Sequence, residues 1–166
     1  MKKKKKIILS FGTRPEIIKL APIIQILKKK KINFKLVHSG QHYSKNMSNI
    51  FLEYFNIKKI DYNLKLGLKN NSFNFIKAFS KKFKEILLKE KPDSLIIQGD
   101  TNTCLISALT AKNLKNSNKL NTKIIHVEAG LRSYDKTMPE ESNRITVDHI
   151  SDLLFPPTKI QKKILL

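Results

Sequence analysis

Two carboxylates in this 166-residue chain follow short apolar runs, at positions where acid–base chemistry is common. Asp100 comes shortly after Ser94–Gln98, and Glu128 directly follows Lys123–Val127. Carboxylates that share a cleft acquire separate pKa values, so one can remove a proton from a substrate while another delivers one. The two segments therefore predict acid–base catalysis if the fold brings them to a common edge.

Cations and one imidazole occupy comparable positions. Arg14 follows the apolar run 7–11, and His42 comes after the run 34–38. Arg132 closes the segment that begins with the second carboxylate. Guanidinium groups suit an anionic substrate or a leaving group that develops negative charge. The pattern predicts a cleft with two carboxylates, two guanidinium groups and one imidazole.

Several of these residues also have a structural interpretation. Asp100 could cap the helix that begins after it. A carboxylate at Glu128 is costly to bury beside a strand unless it serves a ligand or partner, which favours a functional role. Glu140 lies three residues after Thr137 and four before Arg144, spacings typical of a capping box and of a helix-surface ion pair. Both interpretations stay open at this point.

The remaining titratable residues favour packing over chemistry. His126 lies within a predicted strand and is expected to be a satisfied core histidine, and Cys104 lies in an apolar helical stretch. No spacing of His, Cys, Asp and Glu residues suggests a metal site. Gly12 is not followed by the glycines of a dinucleotide fingerprint. The sequence therefore predicts neither a metal nor a cofactor.

Short apolar runs alternate with longer amphipathic stretches along the chain. The predicted strands are 7–11, 34–38, a short piece at 62–64, Ser94–Gln98, Lys123–Val127 and Leu153–Phe155. The predicted helices are 15–30, which follows a Thr13–Glu16 capping box, 45–55, 72–89, 101–114, 139–149 and a last helix that opens at Thr158. This alternation predicts one Rossmann-like α/β domain over residues 1–166, with a parallel sheet and helices on both faces. Ligands of such sheets bind beyond the carboxyl ends of the strands, where the polar segments lie.

Composition excludes several other classes. Lys and Arg number 33 against 13 Asp and Glu, a formal charge of +20, but the basic residues are almost all lysines spread over helix faces and loops. Arginine is the residue that nucleic-acid readers favour, so no specific nucleic-acid partner is predicted. One cysteine excludes a disulfide scaffold. No apolar run approaches the roughly 18 residues of a membrane span, so a cytoplasmic protein without a membrane partner is expected.

The last predicted helix stops after about two turns of helix. It begins at Thr158 and ends on Ile164, Leu165 and Leu166, all of them apolar. Natural termini are usually more polar and seldom stop inside an amphipathic helix. This pattern predicts that the chain is a fragment, or that something outside it covers these residues.

Five segments, taken together and in order, resemble the non-hydrolysing UDP-N-acetylglucosamine 2-epimerases. They are 12–22 (GTRPEIIKLAP), 40–42 (GQH), 99–101 (GDT), 126–132 (HVEAGLR) and 139–144 (PEESNR). The resemblance is to the amino-terminal half of that family and covers essentially the whole chain. It implies one half of a glycosyltransferase-B-like two-domain architecture, with the second domain absent.

The resemblance also implies a reaction and its residues. UDP-N-acetylglucosamine and UDP-N-acetylmannosamine would interconvert by elimination and re-addition of UDP, in the synthesis of cell-surface polysaccharide precursors. Acid and base roles fall on three carboxylates: Asp100, Glu128 and Glu140. Substrate contacts fall on four cations and two further residues: Arg14, Lys19, Arg132, Arg144, Gln41 and His42. The expected partners are the UDP-sugar and either a second copy of the chain or a separate chain that supplies the second half.

Two alternatives remain from the sequence. The segment 132–138 is similar to that of archaeal members and of relatives that epimerise UDP-2,3-diacetamido-glucuronic acid, so that sugar is a second candidate substrate. The missing half also allows a non-catalytic relic or pairing module.

Overall fold

Six short strands form one parallel sheet in the computed structural model, which describes residues 5–40, 52–57, 59–66 and 73–166. The strands are β1 (Lys6–Phe11), β2 (Asn33–His38), β3 (Tyr62–Asn63), β4 (Ser94–Gln98), β5 (Lys123–Val127) and β6 (Leu153–Phe155). Their order across the sheet is β3-β2-β1-β4-β5-β6, and every neighbouring pair is parallel. The predicted parallel sheet is confirmed.

Five helices connect or follow these strands in the described residues. They are α1 (Arg14–Lys29), α2 (Phe73–Glu90), α3 (Asn102–Asn116), α4 (Pro139–Ile150) and α5 (Lys159–Ile164). Residues 52–54 are also helical, and the rest of the helix predicted over 45–55 lies outside the described residues. The predicted capping box before α1 and the Thr158 cap of α5 are both present.

The sheet separates two apolar cores because successive strand residues point to opposite faces. In β1, Ile8 packs into the core that contains the α2 residues Phe75, Phe79 and Phe83. The next residue, Leu9, packs into the core that α1 covers. Helices therefore pack on both faces of the sheet, as predicted.

Neither a membrane-spanning helix nor a metal site is found in the described ranges. No helix there is long and apolar enough to cross a membrane. No group of three or more His, Cys, Asp or Glu side chains in those ranges could hold a metal ion.

Candidate active site

The loops after β4 and β5 bring the first two predicted carboxylates to one edge of the sheet. Gln98 and Val127 are register partners at the ends of these strands, so Gly99 and Glu128 occupy equivalent positions. A Cβ at Gly99 would lie 3.8 Å from Oε2 of Glu128, so this carboxylate packs against the peptide that precedes Asp100. The sequence prediction of a shared edge is confirmed for this pair.

Glu128 is held by a lysine and an amide. Nζ of Lys19, on α1, donates to Oε1 and Oε2 of Glu128 at 2.7 and 2.6 Å, and Nε2 of Gln98 donates to Oε2. The Glu128 side chain is 21% exposed. Its backbone is left-handed, with φ of 69°, a conformation that costs a residue with a side chain about 1–2 kcal/mol.

Asp100 is held by α4. Nη2 of Arg144 lies 2.6 Å from Oδ2 of Asp100, and Nδ2 of Asn143 donates to the Asp100 carbonyl at 2.8 Å. The interpretation of Asp100 as a helix cap is wrong. The N-cap of α3 is Thr101, whose hydroxyl accepts from the backbone N–H of Cys104, because the helix begins one residue later.

Glu140 lies on the first turn of α4 and is exposed. The structural interpretation of this residue is wrong on both counts. Met138, not Thr137, is the N-cap of α4, and the Thr137 hydroxyl donates to Asp135 instead. The predicted ion pair between Glu140 and Arg144 is not formed, because the Arg144 guanidinium binds Glu141 and Asp100 instead. No hydrogen bond in the described part of the chain joins Glu140 to the other two carboxylates.

Sequence reasoning missed Glu141. This side chain is only 3% exposed, and Oε2 accepts from Nη1 of Arg144 at 2.9 Å. Glu141 also accepts the backbone N–H groups of Ser133 and Tyr134, and the first of these bonds is the main cause that lowers its pKa to about 2. Arg144 therefore bridges Asp100 and Glu141, and this pairing orients the guanidinium. The three-residue spacing of Glu141 and Arg144 on one helix was the available signal.

Arg132 lies in a largely buried network below the loop. Its Nη1 donates to Oδ2 of Asp148 at 2.7 Å, and Oδ1 of Asp148 lies 2.7 Å from Nδ1 of His126. Nε2 of His126 is 2.8 Å from the carbonyl oxygen of Gly99, so it must carry the proton that is donated. The expectation that His126 is a satisfied core histidine is confirmed. The ion pair of Arg132 with Asp148 was not indicated by the position of Arg132 in the sequence.

The four other predicted binding residues differ in their placement. Arg14 is the first residue of α1 and is exposed, and Lys19 lies one turn further along and reaches Glu128. Gln41 and His42 lie outside the described residues. Cys104 is fully buried, as expected, and burial is the main cause that raises the pKa of its thiol.

Gly130 allows the last helix to pack directly on the loop after β5. Its φ is 81°, and a Cβ there would lie 2.6 Å from the carbonyl oxygen of Gln161 and 3.0 Å from Leu165. The backbone N–H of Gly130 donates to Asp148. The loop that carries Glu128 is therefore held between α4 and α5.

These contacts place two carboxylates, each paired with a cation, beyond the ends of two adjacent parallel strands. That arrangement defines a Rossmann-like α/β domain whose loop edge is suited to acid–base chemistry on an anionic ligand. A model of the family described as UDP-N-acetylglucosamine 2-epimerase matches residues 25–166. The chain belongs to this family.

Individual relatives agree with this assignment. The UDP-N-acetylglucosamine 2-epimerase of Methanococcus maripaludis is 51% identical over 154 residues, which are 93% of this chain and 40% of that protein. The UDP-2,3-diacetamido-2,3-dideoxy-D-glucuronate 2-epimerase of Pseudomonas aeruginosa is 39% identical over 156 residues, 93% of this chain and 42% of that protein.

A solved structure is also similar. The crystal structure of Methanocaldococcus jannaschii UDP-GlcNAc 2-epimerase in complex with UDP-GlcNAc and UDP superimposes with a TM-score of 0.87 at 46% identity. The match covers 96% of this chain and 42% of that one. The predicted fold is confirmed as one half of a glycosyltransferase-B-like architecture. The chain spans about two-fifths of the length of these relatives.

Proposed function

We propose that this chain supplies one half of an active site that inverts carbon 2 of UDP-N-acetylglucosamine to give UDP-N-acetylmannosamine, a precursor for cell-surface polysaccharide. The observation that carries the proposal is the pair of carboxylates at the ends of β4 and β5, in a chain of the epimerase family. Lys19 binds one of them at 2.6 Å and Arg144 binds the other at 2.6 Å. The other half of the cleft would come from a second domain, on this polypeptide or a separate chain.

The chemistry explains why carboxylates and cations are both needed. The hydrogen on carbon 2 has no neighbouring carbonyl, so its removal is coupled to loss of UDP. A carboxylate takes the proton, the C–H electron pair forms the C1–C2 double bond, and the C1–O bond breaks with its electrons on UDP. UDP then adds back to carbon 1 while a second group delivers a proton to the opposite face of carbon 2.

The roles follow from charge and position. Asp100, Glu128 and Glu140 are the candidates for proton removal and delivery. Glu140 is exposed on the first turn of α4, four residues before Arg144, which pairs with Asp100. Arg14 and Lys19 would bind the departing diphosphate, where fixed cations stabilise developing negative charge.

Isotope exchange tests this proposal. The chain is combined with the part of the M. maripaludis relative that it does not cover, and the mixture is incubated with UDP-N-acetylglucosamine in deuterated water. We expect UDP-N-acetylmannosamine that carries deuterium at carbon 2. Absence of both product and deuterium would overturn the assignment of this substrate.

UDP-2,3-diacetamido-glucuronic acid is the second candidate substrate. It is favoured by the P. aeruginosa relative, a UDP-2,3-diacetamido-2,3-dideoxy-D-glucuronate 2-epimerase, although that relative is the less similar of the two. The same mixture is given each substrate in turn. The larger ratio of kcat to KM identifies the substrate.

A non-catalytic pairing module is the alternative from another class. The chain spans about two-fifths of its relatives, so we expect no turnover from the chain alone, because half of the cleft is missing. Activity that appears only when the other half or a second copy is present supports an enzyme. Sedimentation of the chain alone and with the other half distinguishes the two partners, a homodimer or a complementing chain.

A further inference from the structure

Buried side chains hold the residues on both sides of Asp100. His126 donates to the carbonyl oxygen of Gly99, and the hydroxyl of Thr101 donates to Oε1 of Glu16 at 3.0 Å. Glu16 lies on α1, 85 residues earlier in the sequence. The position of the candidate acid–base group therefore depends on a carboxylate from another element.

Glu16 also holds the segment that precedes Arg14. Its Oε2 accepts from the backbone N–H groups of Gly12 and Thr13 at 3.0 and 2.8 Å, and from the Thr13 hydroxyl at 2.8 Å. The side chain is 1% exposed. One carboxylate oxygen thus binds the loop after β1, and the other binds the loop after β4.

The hydroxyl of Thr101 acts both as a hydrogen-bond acceptor and as a hydrogen-bond donor. It accepts from the backbone N–H of Cys104 at 3.1 Å, which caps α3, so its single hydrogen is available for Glu16. Loss of the hydroxyl would therefore remove both a helix cap and the connection between the two loops.

We propose that Glu16 is a positioning residue of the epimerase site: its buried carboxylate connects the loop of Arg14 to Thr101 and so fixes Asp100 relative to the cation that faces the diphosphate. This inference rests on the proposed function. A displacement of about 1 Å in a reacting group can cost on the order of a hundredfold in rate, so the connection controls kcat.

A double-variant cycle tests the connection. Glu16→Asp shortens the side chain by one methylene group, so its carboxylate cannot reach both loops, while Thr101→Val removes the hydroxyl. In the mixture described above we expect each variant to lower kcat by about ten- to a hundredfold with KM within about twofold of wild type. Since both variants break one connection, the double variant should be no slower than the slower single variant.

Two controls separate positioning from general destabilisation. Thr101→Ser keeps the hydroxyl and should restore kcat to within about twofold of wild type. Thr122→Val removes a buried hydroxyl that donates to the Pro92 carbonyl at the opposite edge of the sheet, and it should leave kcat unchanged. The proposal would be overturned if the double variant lowered kcat by the product of the two single effects. It would also be overturned if Thr122→Val lowered kcat as much as Thr101→Val does.

Hydrogen exchange gives a readout that needs no activity. In Thr101→Val, loss of the cap alone affects the start of α3, whereas loss of the connection also affects Gly12 and Thr13. We expect faster amide exchange in residues 12–17 of Thr101→Val and unchanged exchange there in Thr122→Val. Unchanged exchange in both variants overturns the connection, whereas absence of turnover by the wild type with either sugar overturns the proposed function.

Discussion

The two edges of the sheet use carboxylates in different ways. Where strands begin, three aspartates each lie immediately before a strand: Asp61, Asp93 and Asp152. Asp93 and Asp152 lie at the amino edge, whereas Asp61 precedes the short β3 beside the second half of β2. Each accepts a backbone N–H from the neighbouring strand at 2.8–2.9 Å, from Leu36, Lys6 and Ile124 respectively. These aspartates complete the ladder where the strands begin, a structural role that repeats at three strand starts.

At the carboxyl edge, carboxylates join different loops instead. Glu16 is buried and its described hydrogen-bond donors are all neutral, two backbone N–H groups and two hydroxyls. Burial is the main cause that raises its pKa to about 7. Asp100 and Glu128 each bind a cation and stay partly exposed, at 28% and 21%. Asp61 and Asp152 also bind lysines and are 18% and 26% exposed, so neither exposure nor a bound cation separates the two groups. The difference is that those aspartates accept the backbone of a neighbouring strand, whereas Asp100 and Glu128 bind side chains from α4 and α1.

Equivalent residues after β4 and β5 sharpen this contrast. Gly99 and Glu128 are both left-handed, with φ of 73° and 69°. The fold therefore asks for a glycine at each position. It has one after β4, whereas β5 is followed by a glutamate that carries the cost in backbone strain, as do six other residues that are not glycine in the described part of the chain.

The largest expected effect is on turnover. Asp100→Asn and Glu128→Gln each remove a candidate acid or base, so we expect turnover in the combined assay to fall by about a hundredfold or more. Asp93→Asn keeps an acceptor for the Lys6 N–H at the amino edge and should stay within about twofold of wild type. Equal losses in all three variants would remove the distinction between the edges.

The pH dependence of stability is expected to show the buried Glu16. Its unfolded carboxyl ionises near pH 4.5 and the folded one near 7, so between these values the folded state binds more protons. The Glu16 contribution to the free energy of unfolding therefore falls as pH rises through this window, by about 3 kcal/mol in total. Urea unfolding of wild type and Glu16→Gln from pH 4 to 8 measures it. A difference between them that does not change with pH would contradict the assignment.

His38, also at the carboxyl edge, should act in the opposite direction. Burial is the main cause that lowers its pKa from 6.5 to about 4, and its Nδ1 accepts the backbone N–H of Gly40 at 3.1 Å. Between pH 4 and 6.5 the unfolded state binds more protons, so stability rises with pH by about 3 kcal/mol. Because the Glu16 contribution falls over nearly the same window, the rise is measured as the pH-dependent difference between wild type and His38→Asn, which keeps an acceptor, in urea unfolding. A difference that stays constant from pH 4 to 7 would show that His38 is not responsible.

The smallest effect concerns backbone strain at Glu128. Glu128→Gly relieves the left-handed conformation, whereas Glu128→Ala keeps it. Both lose the carboxylate, so we expect both to be inactive, with the glycine variant more stable by about 1 kcal/mol. Thermal unfolding of the two variants measures the difference. A more stable alanine variant would mean that the strain is absent.

Much of the fold was predictable because strands buried on both sides are continuous apolar runs. The predicted strand Ser94–Gln98 coincides with β4, and Lys123–Val127 coincides with β5. Parallel topology alone then brings Asp100 and Glu128 to one edge, so their proximity also followed from the sequence.

The partners of these residues were not predictable from the same pattern. The buried side of α4 is largely polar and includes Glu141, Asn143 and Asp148. Hydrophobic periodicity cannot identify such a face, so Glu141 was missed beside Glu140. The pairing of Arg132 with Asp148 and of Glu16 with Thr101 depends on packing between elements far apart in the sequence, which local spacing does not encode.

Gly130 brings the loop of Glu128 into direct contact with α5. A Cβ at this glycine would lie 2.6 Å from the carbonyl oxygen of Gln161 on α5 and 3.0 Å from the Leu165 side chain, so both the main chain and a side chain of the last segment pack directly on the loop. Because this contact is close, a displacement of α5 would move the loop that carries Glu128. A shift of α5 would therefore displace the backbone two residues after Glu128.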